Sequence, residues 1–311
     1  MSDLVRIVEV GPRDGLQNEK TPVSVADRIA FIGGLVGAGL HTVEVGAFVS
    51  PKAIPQMVNS DQVLQGVSHH NDSEFHVLVP NVKGYEAARA AGARVIAVFA
   101  SASEGFSHAN INCSVAESID RFRPVVARAK ADGIKVRGYV SCVLGCPYDG
   151  EVKPQAVVDV ARMLWDLGCY EVSLGDTIGI GTPLKARHLL RAVAGDVPIA
   201  HLAMHFHDTF GQALANLYAG MEEGARVIDS AAGGLGGCPF APGATGNVAT
   251  EDVVYMLEGM GIATGVDMPK LVAATNEVCK WIGRPPVSRV AAAINAKRAS
   301  GEVAERCDAS S

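Results

Sequence analysis

Residues 5–20 read VRIVEVGPRDGLQNEK, a short apolar strand pattern that runs directly into a polar turn. A doubly wound nucleotide-binding sheet would instead place a G-x-G-x-x-G loop after its first strand. The turn here lacks that loop, and its first two charged residues are Arg13 and Asp14. The stretch therefore favours another parallel α/β fold, in which polar residues that follow the strands form the site.

Seven further β-rich runs of similar length follow along the chain. Segments with the spacing of amphipathic helices separate them, and many of these segments end at a glycine. Strict alternation of strands and helices indicates parallel strands joined by right-handed crossovers. Eight such units predict an α/β fold of the (β/α)8 TIM-barrel type. The predicted strands are residues 5–11, 42–48, 74–80, 94–100, 135–143, 170–176, 202–208 and 226–234.

The length and composition are those of one globular unit. The chain has 311 residues, of which 48% are hydrophobic and 19% charged, with a net charge of −6. Barrels of this type reach about 250 residues or more as one unit. We predict a single catalytic domain over residues 1–311, in which residues 248–311 form a helical extension packed on the barrel and end in a frayed polar tail. The charge gives no sign of a nucleic-acid partner.

Targeting and redox signals point to the cytoplasm. The N-terminal MSDLVRIVEV lacks the pattern of a secretory signal, and no apolar run approaches the ~20 residues of a membrane span. Seven cysteines, an odd number scattered along the chain, favour reduced thiols over a disulfide framework. We expect Cys307, near the end of the sequence, to be free rather than to form an intersubunit disulfide.

The segment MHFHDTFG, residues 204–211, carries two histidines two positions apart in a strand pattern. Strand side chains alternate, so His205 and His207 would both face the barrel lumen. Two imidazoles in this arrangement can ligate one cation, although buried core histidines or a catalytic base are the competing interpretations. Asp14 and Asn247, which by themselves are also typical turn residues, would add two oxygen ligands.

A mixed set of two nitrogens and two oxygens suits a hard divalent cation such as Mg²⁺ or Mn²⁺. Zinc is the weaker alternative, because Cys142 and Cys146 form a C-x3-C spacing with no matching second pair. The predicted cofactor is therefore Mg²⁺ or Mn²⁺.

The segment GGLGGCPFAPGATGN, residues 233–247, is too rich in glycine to form a rigid wall, and we interpret it as a mobile lid. Its one reactive side chain is Cys238, which would serve either as a general acid or base or as an inert structural thiol. Arg13 would form a salt bridge with Asp14, or would stabilise an enolate or carboxylate of a substrate. Glu9 and Glu44 are inward carboxylates that need partners, and hydrogen bonding in the barrel core is the favoured explanation for Glu9.

Several segments together resemble the 3-hydroxy-3-methylglutaryl-CoA lyase family of the DRE-TIM metallolyase superfamily. The resemblance covers nearly the whole chain, and the last block, with its cysteine and asparagine nine residues apart, is the most specific. The segments are VEVGPRDGLQNEK (8–20), FVSPKAIPQM (48–57), NINCSVAES (110–118), VRGYVSCVLGCPYDGEV (136–152), SLGDTIGIGTP (173–183), MHFHDTFGQALAN (204–216) and GLGGCPFAPGATGNVATEDVVYML (234–257).

The resemblance implies a metal-dependent carbon–carbon lyase that cleaves 3-hydroxy-3-methylglutaryl-CoA to acetoacetate and acetyl-CoA in leucine catabolism and ketone-body formation. It implies an acyl-CoA thioester as partner, and we expect a homodimer or a higher homo-oligomer. The implied metal ligands are Asp14, His205, His207 and Asn247. The implied catalytic groups are Arg13, Cys238, His205, Asp14, Glu44, Asp176 and Glu251, and the implied coenzyme A contacts are Lys20, Lys83, Asn110 and Asn112.

Two departures from the family pattern concern the acyl group of the substrate. Ala53 stands where a tryptophan is expected, and Ala47 stands where serine is common. Both changes would enlarge or reshape a pocket, so a longer 3-hydroxy-3-alkylglutaryl-CoA is the first alternative substrate.

Two other classes compete with the lyase. A Claisen-condensing acyltransferase of the same superfamily would generally carry a regulatory domain, for which the roughly 60 residues after Asn247 leave little room. A non-catalytic barrel should have lost a metal ligand or Cys238, yet each of these positions is occupied.

Overall fold

The computed structural model describes residues 4–237 and 246–300. Eight parallel strands close into one barrel in the order β1 to β8. The predicted (β/α)8 fold is therefore confirmed. The strands are β1 Arg6–Glu9, β2 Thr42–Ala47, β3 Glu74–Leu78, β4 Val95–Ser101, β5 Lys135–Ser141, β6 Glu171–Asp176, β7 Leu202–Phe206 and β8 Val227–Ser230.

Helices surround this barrel and follow it at the C-terminal end. They are α1 Val25–Gly37, α2 Ser60–Val67, α3 Val82–Ala90, α4 Glu104–Ile111, α5 Val115–Ala131, α6 Pro154–Leu167, α7 Pro183–Val193, α8 Ala213–Glu222, α9 Thr250–Gly259, α10 Met268–Ile282 and α11 Arg289–Ala299. Two of them, α2 and α4, are only eight residues long, too short to show a clear apolar periodicity in the sequence.

The expectation of a frayed polar tail is wrong for residues 289–299, which form α11. Polar side chains satisfy the start of this helix. The Ser288 hydroxyl accepts a hydrogen bond from the Ala291 amide at 3.0 Å, and Asp252 Oδ1 accepts one from the Val290 amide at 2.9 Å. A hydropathy pattern cannot reveal such caps, because one of the two acceptors lies on another helix.

The C-terminal helices pack on the barrel rather than extending from it. Helix α10 lies against α1, and α11 lies against α9. The approach of α10 to α1 is close, since a Cβ atom added at Gly34 would lie 3.0 Å from the Ala274 Cβ atom. Small residues at both positions therefore set the distance between the two helices.

Two composition-based expectations can be compared with the described residues. No helix within the ranges 4–237 and 246–300 combines the length and apolar character needed to cross a membrane. The five cysteines in these ranges are all free thiols, as predicted. Cys238 and Cys307 lie outside the described residues.

Candidate active site

A tight turn after β1 presents Arg13 and Asp14 to the C-terminal end of the barrel. The Val10 carbonyl accepts hydrogen bonds from three successive amides, those of Arg13, Asp14 and Gly15, at 2.8–3.2 Å. A side chain at Gly15 would place its Cβ atom 2.7 Å from the Leu235 Cβ atom. The glycine lets the turn pack closely against the segment that follows β8. This packing fixes the backbone position of Arg13 and Asp14.

His205 and His207 lie at the end of β7, and both rings point toward Asp14. The two ring centroids are 5.5 Å apart. One ligand atom from each of Asp14, His205 and His207 lies within 4.8 Å of the others. Among the described residues this is the one group of three or more His, Cys, Asp and Glu side chains with the geometry to hold a metal ion.

A backbone bridge brings Asn247 to the same place. The Asp208 amide donates to the Gly246 carbonyl at 2.9 Å, and the Val248 amide donates to the Phe206 carbonyl at 3.2 Å. These bonds pair Asn247 with His207 although the two residues are 40 positions apart. Asn247 Nδ2 then donates a hydrogen bond to Asp14 Oδ2 at 2.8 Å.

The side chains around this point fit a divalent cation. Asn247 Oδ1 and His207 Nδ1 are buried and have no hydrogen-bond partner among the described residues. Buried polar atoms are nearly always bonded, so two orphaned acceptors beside one carboxylate need an explanation. A cation that takes nitrogen and oxygen donors would satisfy both atoms.

The electrostatics of the cluster favour the ligand-competent protonation states of Asp14 and His207, but not that of His205. Burial raises the pKa of Asp14, but the charges of Arg13 and then of the two histidines outweigh it and lower that pKa to about 2. Burial, with the neighbouring His205, lowers the pKa of His207 to about 4, so this ring is neutral at pH 7. Burial would also lower the pKa of His205, but the bond to Asp229 and the charge of Asp14 raise it overall.

Arg13 is held between two carboxylates at the edge of the cluster. Its Nε atom donates to Glu44 Oε2 at 2.7 Å, its Nη2 atom lies 2.6 Å from the same oxygen, and its Nη1 atom donates to Asp14 Oδ1 at 2.7 Å. A guanidinium has five N–H groups. Two therefore remain, one on each terminal nitrogen, to donate to other groups.

Asp176 lies at the end of β6 but outside the cluster. Its carboxylate accepts hydrogen bonds from the Ile180 amide at 3.3 Å and the Gly181 amide at 2.8 Å. Burial raises the pKa of Asp176 to about 6, against the opposing effect of these amides. The carboxylate thus shapes the loop between β6 and α7, and its implied catalytic role stays a prediction.

Glu251 lies behind the segment that follows β8. Both of its carboxylate oxygens accept from the Gly233 amide, at 3.0 and 2.9 Å, and the Thr275 hydroxyl also donates to Oε1. Glu9 binds the residue before Gly233 in the same way: its Oε1 atom accepts a hydrogen bond from the Ala232 amide at 3.0 Å. This confirms core hydrogen bonding for Glu9. Together the two glutamates anchor the start of the glycine-rich segment.

The buried state of Glu251 predicts a pH-dependent stability. Burial raises its pKa from 4.5 to about 7. The folded protein is therefore more stable when the Glu251 carboxyl is protonated than when it is ionised. Its contribution is fully present below pH 4.5 and is lost as the pH rises through about 7. At roughly 1.4 kcal/mol per pKa unit, Glu251→Gln should reduce the fall in unfolding free energy between pH 4.5 and pH 8 by about 3 kcal/mol.

Urea unfolding of the wild type and of Glu251→Gln at both pH values measures this difference. Glu258→Gln is the matched control, since Glu258 is an exposed glutamate on the same helix. It should keep the wild-type pH dependence. An equal fall in stability for Glu251→Gln and wild type would contradict the assignment.

The remaining predicted residues lie apart from the cluster. Lys20, Lys83, Asn110 and Asn112 are all exposed, in the loops or helix ends that follow β1, β3 and β4. Their contact with coenzyme A is untested. Cys238 is outside the described residues, so its role stays a prediction.

The thiols of the C-x3-C spacing have other surroundings. Cys142 and Cys146 are both buried and pack with Phe106. The Ser103 hydroxyl donates to Cys146 Sγ at 2.8 Å. Neither thiol belongs to a metal-competent group among the described residues.

Sequence reasoning missed a set of charged residues below the cluster. Asp229 on β8 contacts His205, and Arg137 on β5 holds Asp229. The signal was present, because each is a charged residue at an inward position of an otherwise apolar strand. Tyr139, also on β5, meets the His205 ring edge-on at a centroid distance of 5.9 Å.

Comparison with known proteins agrees with this arrangement. The profile of the HMGL-like family matches residues 4–278. A Pseudomonas aeruginosa protein named 3-hydroxy-3-isohexenylglutaryl-CoA/hydroxymethylglutaryl-CoA lyase is 57% identical over 293 residues, 94% of this chain and 98% of that protein.

Solved structures give the same result. Hydroxymethylglutaryl-CoA lyase from Pseudomonas aeruginosa superposes with a TM-score of 0.93 at 56% identity, covering 96% of this chain and 99% of that one. An HMG-CoA lyase from Acinetobacter baumannii, in complex with coenzyme A and 3-methylmalate, gives a TM-score of 0.90 at 37% identity, covering 94% and 96%. The family resemblance found in the sequence is confirmed, and the chain belongs to the HMGL-like family.

Proposed function

We propose that this protein is a metal-dependent carbon–carbon lyase that cleaves 3-hydroxy-3-methylglutaryl-CoA to acetoacetate and acetyl-CoA. The observation that carries the proposal is the Asp14, His205 and His207 cluster at the open end of the barrel, with Arg13 beside it. The family of the chain and the names of its relatives support the same reaction.

The proposed ligands of the cation are Asp14, His205, His207 and Asn247. The orphaned Asn247 Oδ1 and His207 Nδ1 atoms support this set, and the hard oxygen donors favour Mg²⁺ or Mn²⁺. When bound, such a cation makes a substrate hydroxyl more acidic and polarises a carbonyl.

The side chains of the site would move the protons of the reaction. Asp14 would take the proton of the 3-hydroxyl, because both ring nitrogens of His205 are occupied when His205 ligates the cation and donates to Asp229. The C2–C3 bond then breaks: the oxygen on C3 becomes the ketone of acetoacetate, and the electron pair passes to C2 and the thioester oxygen. Cys238 returns a proton to C2, which completes acetyl-CoA.

Arg13 would stabilise the negative charge on the thioester oxygen. Glu44 and Asp14 hold three of its N–H groups, so the guanidinium is fixed before substrate binds. Its two remaining N–H groups can donate to an oxygen that becomes charged only as the bond breaks. Preorganised donors of this kind contribute most to the transition state.

The coenzyme A moiety would lie along the rim formed after β1, β3 and β4. Lys20 and Lys83 supply positive charge there, and Asn110 and Asn112 supply amide groups. The coenzyme A bound to the Acinetobacter baumannii relative supports this class of ligand. A homo-oligomeric assembly and a cytoplasmic location stay predictions.

A longer 3-hydroxy-3-alkylglutaryl-CoA is the second candidate substrate. The name of the Pseudomonas aeruginosa relative includes an isohexenyl substrate. Ala47 lies buried at the end of β2, whereas Ala53 is exposed on the following turn. Of the two departures from the family pattern, Ala47 is therefore the better candidate for setting acyl specificity.

The test uses metal-stripped protein incubated with 3-hydroxy-3-methylglutaryl-CoA, with and without Mg²⁺ or Mn²⁺. We expect acetoacetate and acetyl-CoA in equal amounts, and only when the metal is added, because the residues alone lack the Lewis acid. Equal product formation with and without metal would contradict the metal dependence. No cleavage by folded, metal-loaded protein would contradict the proposed substrate, and the longer thioesters would be assayed next.

A further inference from the structure

A buried network of charges spans the barrel beneath His205. Arg137 on β5 donates from Nε to Glu171 Oε1 at 2.7 Å. It also donates to both oxygens of Asp229 on β8, at 2.7 Å to Oδ1 and 3.0 Å to Oδ2. The Ser173 hydroxyl donates to Asp229 Oδ2 at 2.8 Å. Arg137 is 0% exposed and Asp229 is 1% exposed.

Stability does not account for this network. The interiors of such barrels are filled mainly by Val, Ile and Leu side chains. Replacing a buried ion pair with apolar residues of similar volume is often neutral, or stabilises a protein by about 1–4 kcal/mol. A function that requires a fixed charge at this depth explains the buried network better than stability does.

The network reaches the metal-competent cluster at one atom. Asp229 Oδ2 lies 3.2 Å from His205 Nδ1. On the other side of the same ring, His205 Nε2 lies 3.7 Å from Asp14 Oδ2. His205 therefore stands between the lumen network and the open end of the barrel, with one ring nitrogen toward each.

The state of Asp229 decides which nitrogen carries the proton. An ionised carboxylate only accepts hydrogen bonds, so His205 must donate to it from Nδ1. Asp229 cannot turn away, since Arg137 holds both of its oxygens. In the neutral ring, the lone pair then lies on Nε2 and points toward Asp14.

We propose that Asp229 is a positioning residue that fixes the orientation and tautomer of His205, so that the Nε2 lone pair faces the cation of the proposed function. The inference rests on that function for the identity of the site. Arg137 and Ser173 act through Asp229, because they hold its carboxylate in place. Partners of this kind orient metal-binding histidines in many proteins, and their loss typically weakens metal affinity by about 10–100-fold.

The first measurement needs no change to the network. Nitrogen-15 NMR of histidine-labelled, metal-free protein at pH 9 reports the protonated nitrogen of each ring, and His205→Gln identifies the His205 signals by their loss. We expect wild-type His205 to be protonated on Nδ1 and bare on Nε2. A wild-type ring protonated on Nε2 would overturn the proposal.

The second measurement uses Asp229→Asn, which keeps the shape of the side chain. Arg137 would hold the amide oxygen, so the amide nitrogen would face His205 and donate to Nδ1. The tautomer should then reverse, and the Mn²⁺ dissociation constant, measured from free Mn²⁺ by EPR, should rise about 10–100-fold. Ser173→Ala keeps the carboxylate and Arg137, and should keep the tautomer with a smaller loss of affinity.

These readouts separate positioning from mere packing. A folded Asp229→Asn protein with wild-type Mn²⁺ affinity and an unchanged tautomer would overturn the proposal, even if it were less stable. If Asp229→Asn does not fold, the tautomer of His205 measured in the wild-type protein still tests the proposal. The expected tautomers and affinities in a protein that fails to cleave 3-hydroxy-3-methylglutaryl-CoA would support the positioning role and contradict the proposed reaction.

Discussion

Replacing Arg13 with glutamine should lower the turnover of 3-hydroxy-3-methylglutaryl-CoA by about three orders of magnitude or more while leaving metal affinity nearly intact. Losing one neutral oxyanion donor typically costs about 10²–10³ in rate, and Arg13 offers two N–H groups with a full positive charge. Glutamine keeps an amide donor but no charge. The loss should appear in kcat, because the charge that Arg13 stabilises develops only in the transition state.

Metal affinity is the control within the same variant. Arg13 contacts Asp14 through Oδ1, whereas the oxygen nearest Asn247 and His205 is Oδ2. Titration with Mn²⁺ should therefore give a dissociation constant close to wild type. Glu44→Gln is the matched variant, because it keeps the Arg13 guanidinium but weakens the hydrogen bonds that hold it in place. This variant should lose less activity than Arg13→Gln. An Arg13→Gln enzyme with wild-type turnover would refute the role of this residue.

The sequence was sufficient for the fold because each strand is short, apolar and followed by a segment of helical spacing. The closed order β1 to β8 follows from that alternation. The pairing of His205 with His207 also follows, since strand side chains alternate between two faces. Helix α11 was not predicted, because Asp252, one of its two cap acceptors, comes from another helix.

Contacts between distant segments were the part that residue patterns alone could not determine. Asn247 reaches Asp14 through a backbone bridge to β7, which no local pattern encodes. Asp176 follows a strand at the correct end of the barrel, yet its carboxylate turns to the amides of its own loop. Position at a strand end therefore predicts nearness to the site, but not the direction in which a side chain points.

The partners of Asp14 and Asp176 make these two residues a matched pair for testing where the cation binds. Asp14→Asn should raise the Mn²⁺ dissociation constant by more than about 100-fold, beyond the cost of losing an outer-sphere partner. It should also lower turnover by more than about 10³-fold. Asp14 is the one carboxylate among the four proposed ligands, and its charge supplies most of the attraction for a divalent cation.

Asp176→Asn removes a more deeply buried carboxylate from the same end of the barrel. Its carboxylate binds the Ile180 and Gly181 amides, so this substitution should weaken the loop after β6 while the Mn²⁺ affinity stays near wild type. The same EPR titration of free Mn²⁺ measures both variants. If both lose affinity equally, the cation responds only to the net charge of the barrel mouth, and the ligand set is wrong. If only Asp14→Asn loses it, the cation is held at the point where Asp14, His205 and His207 converge.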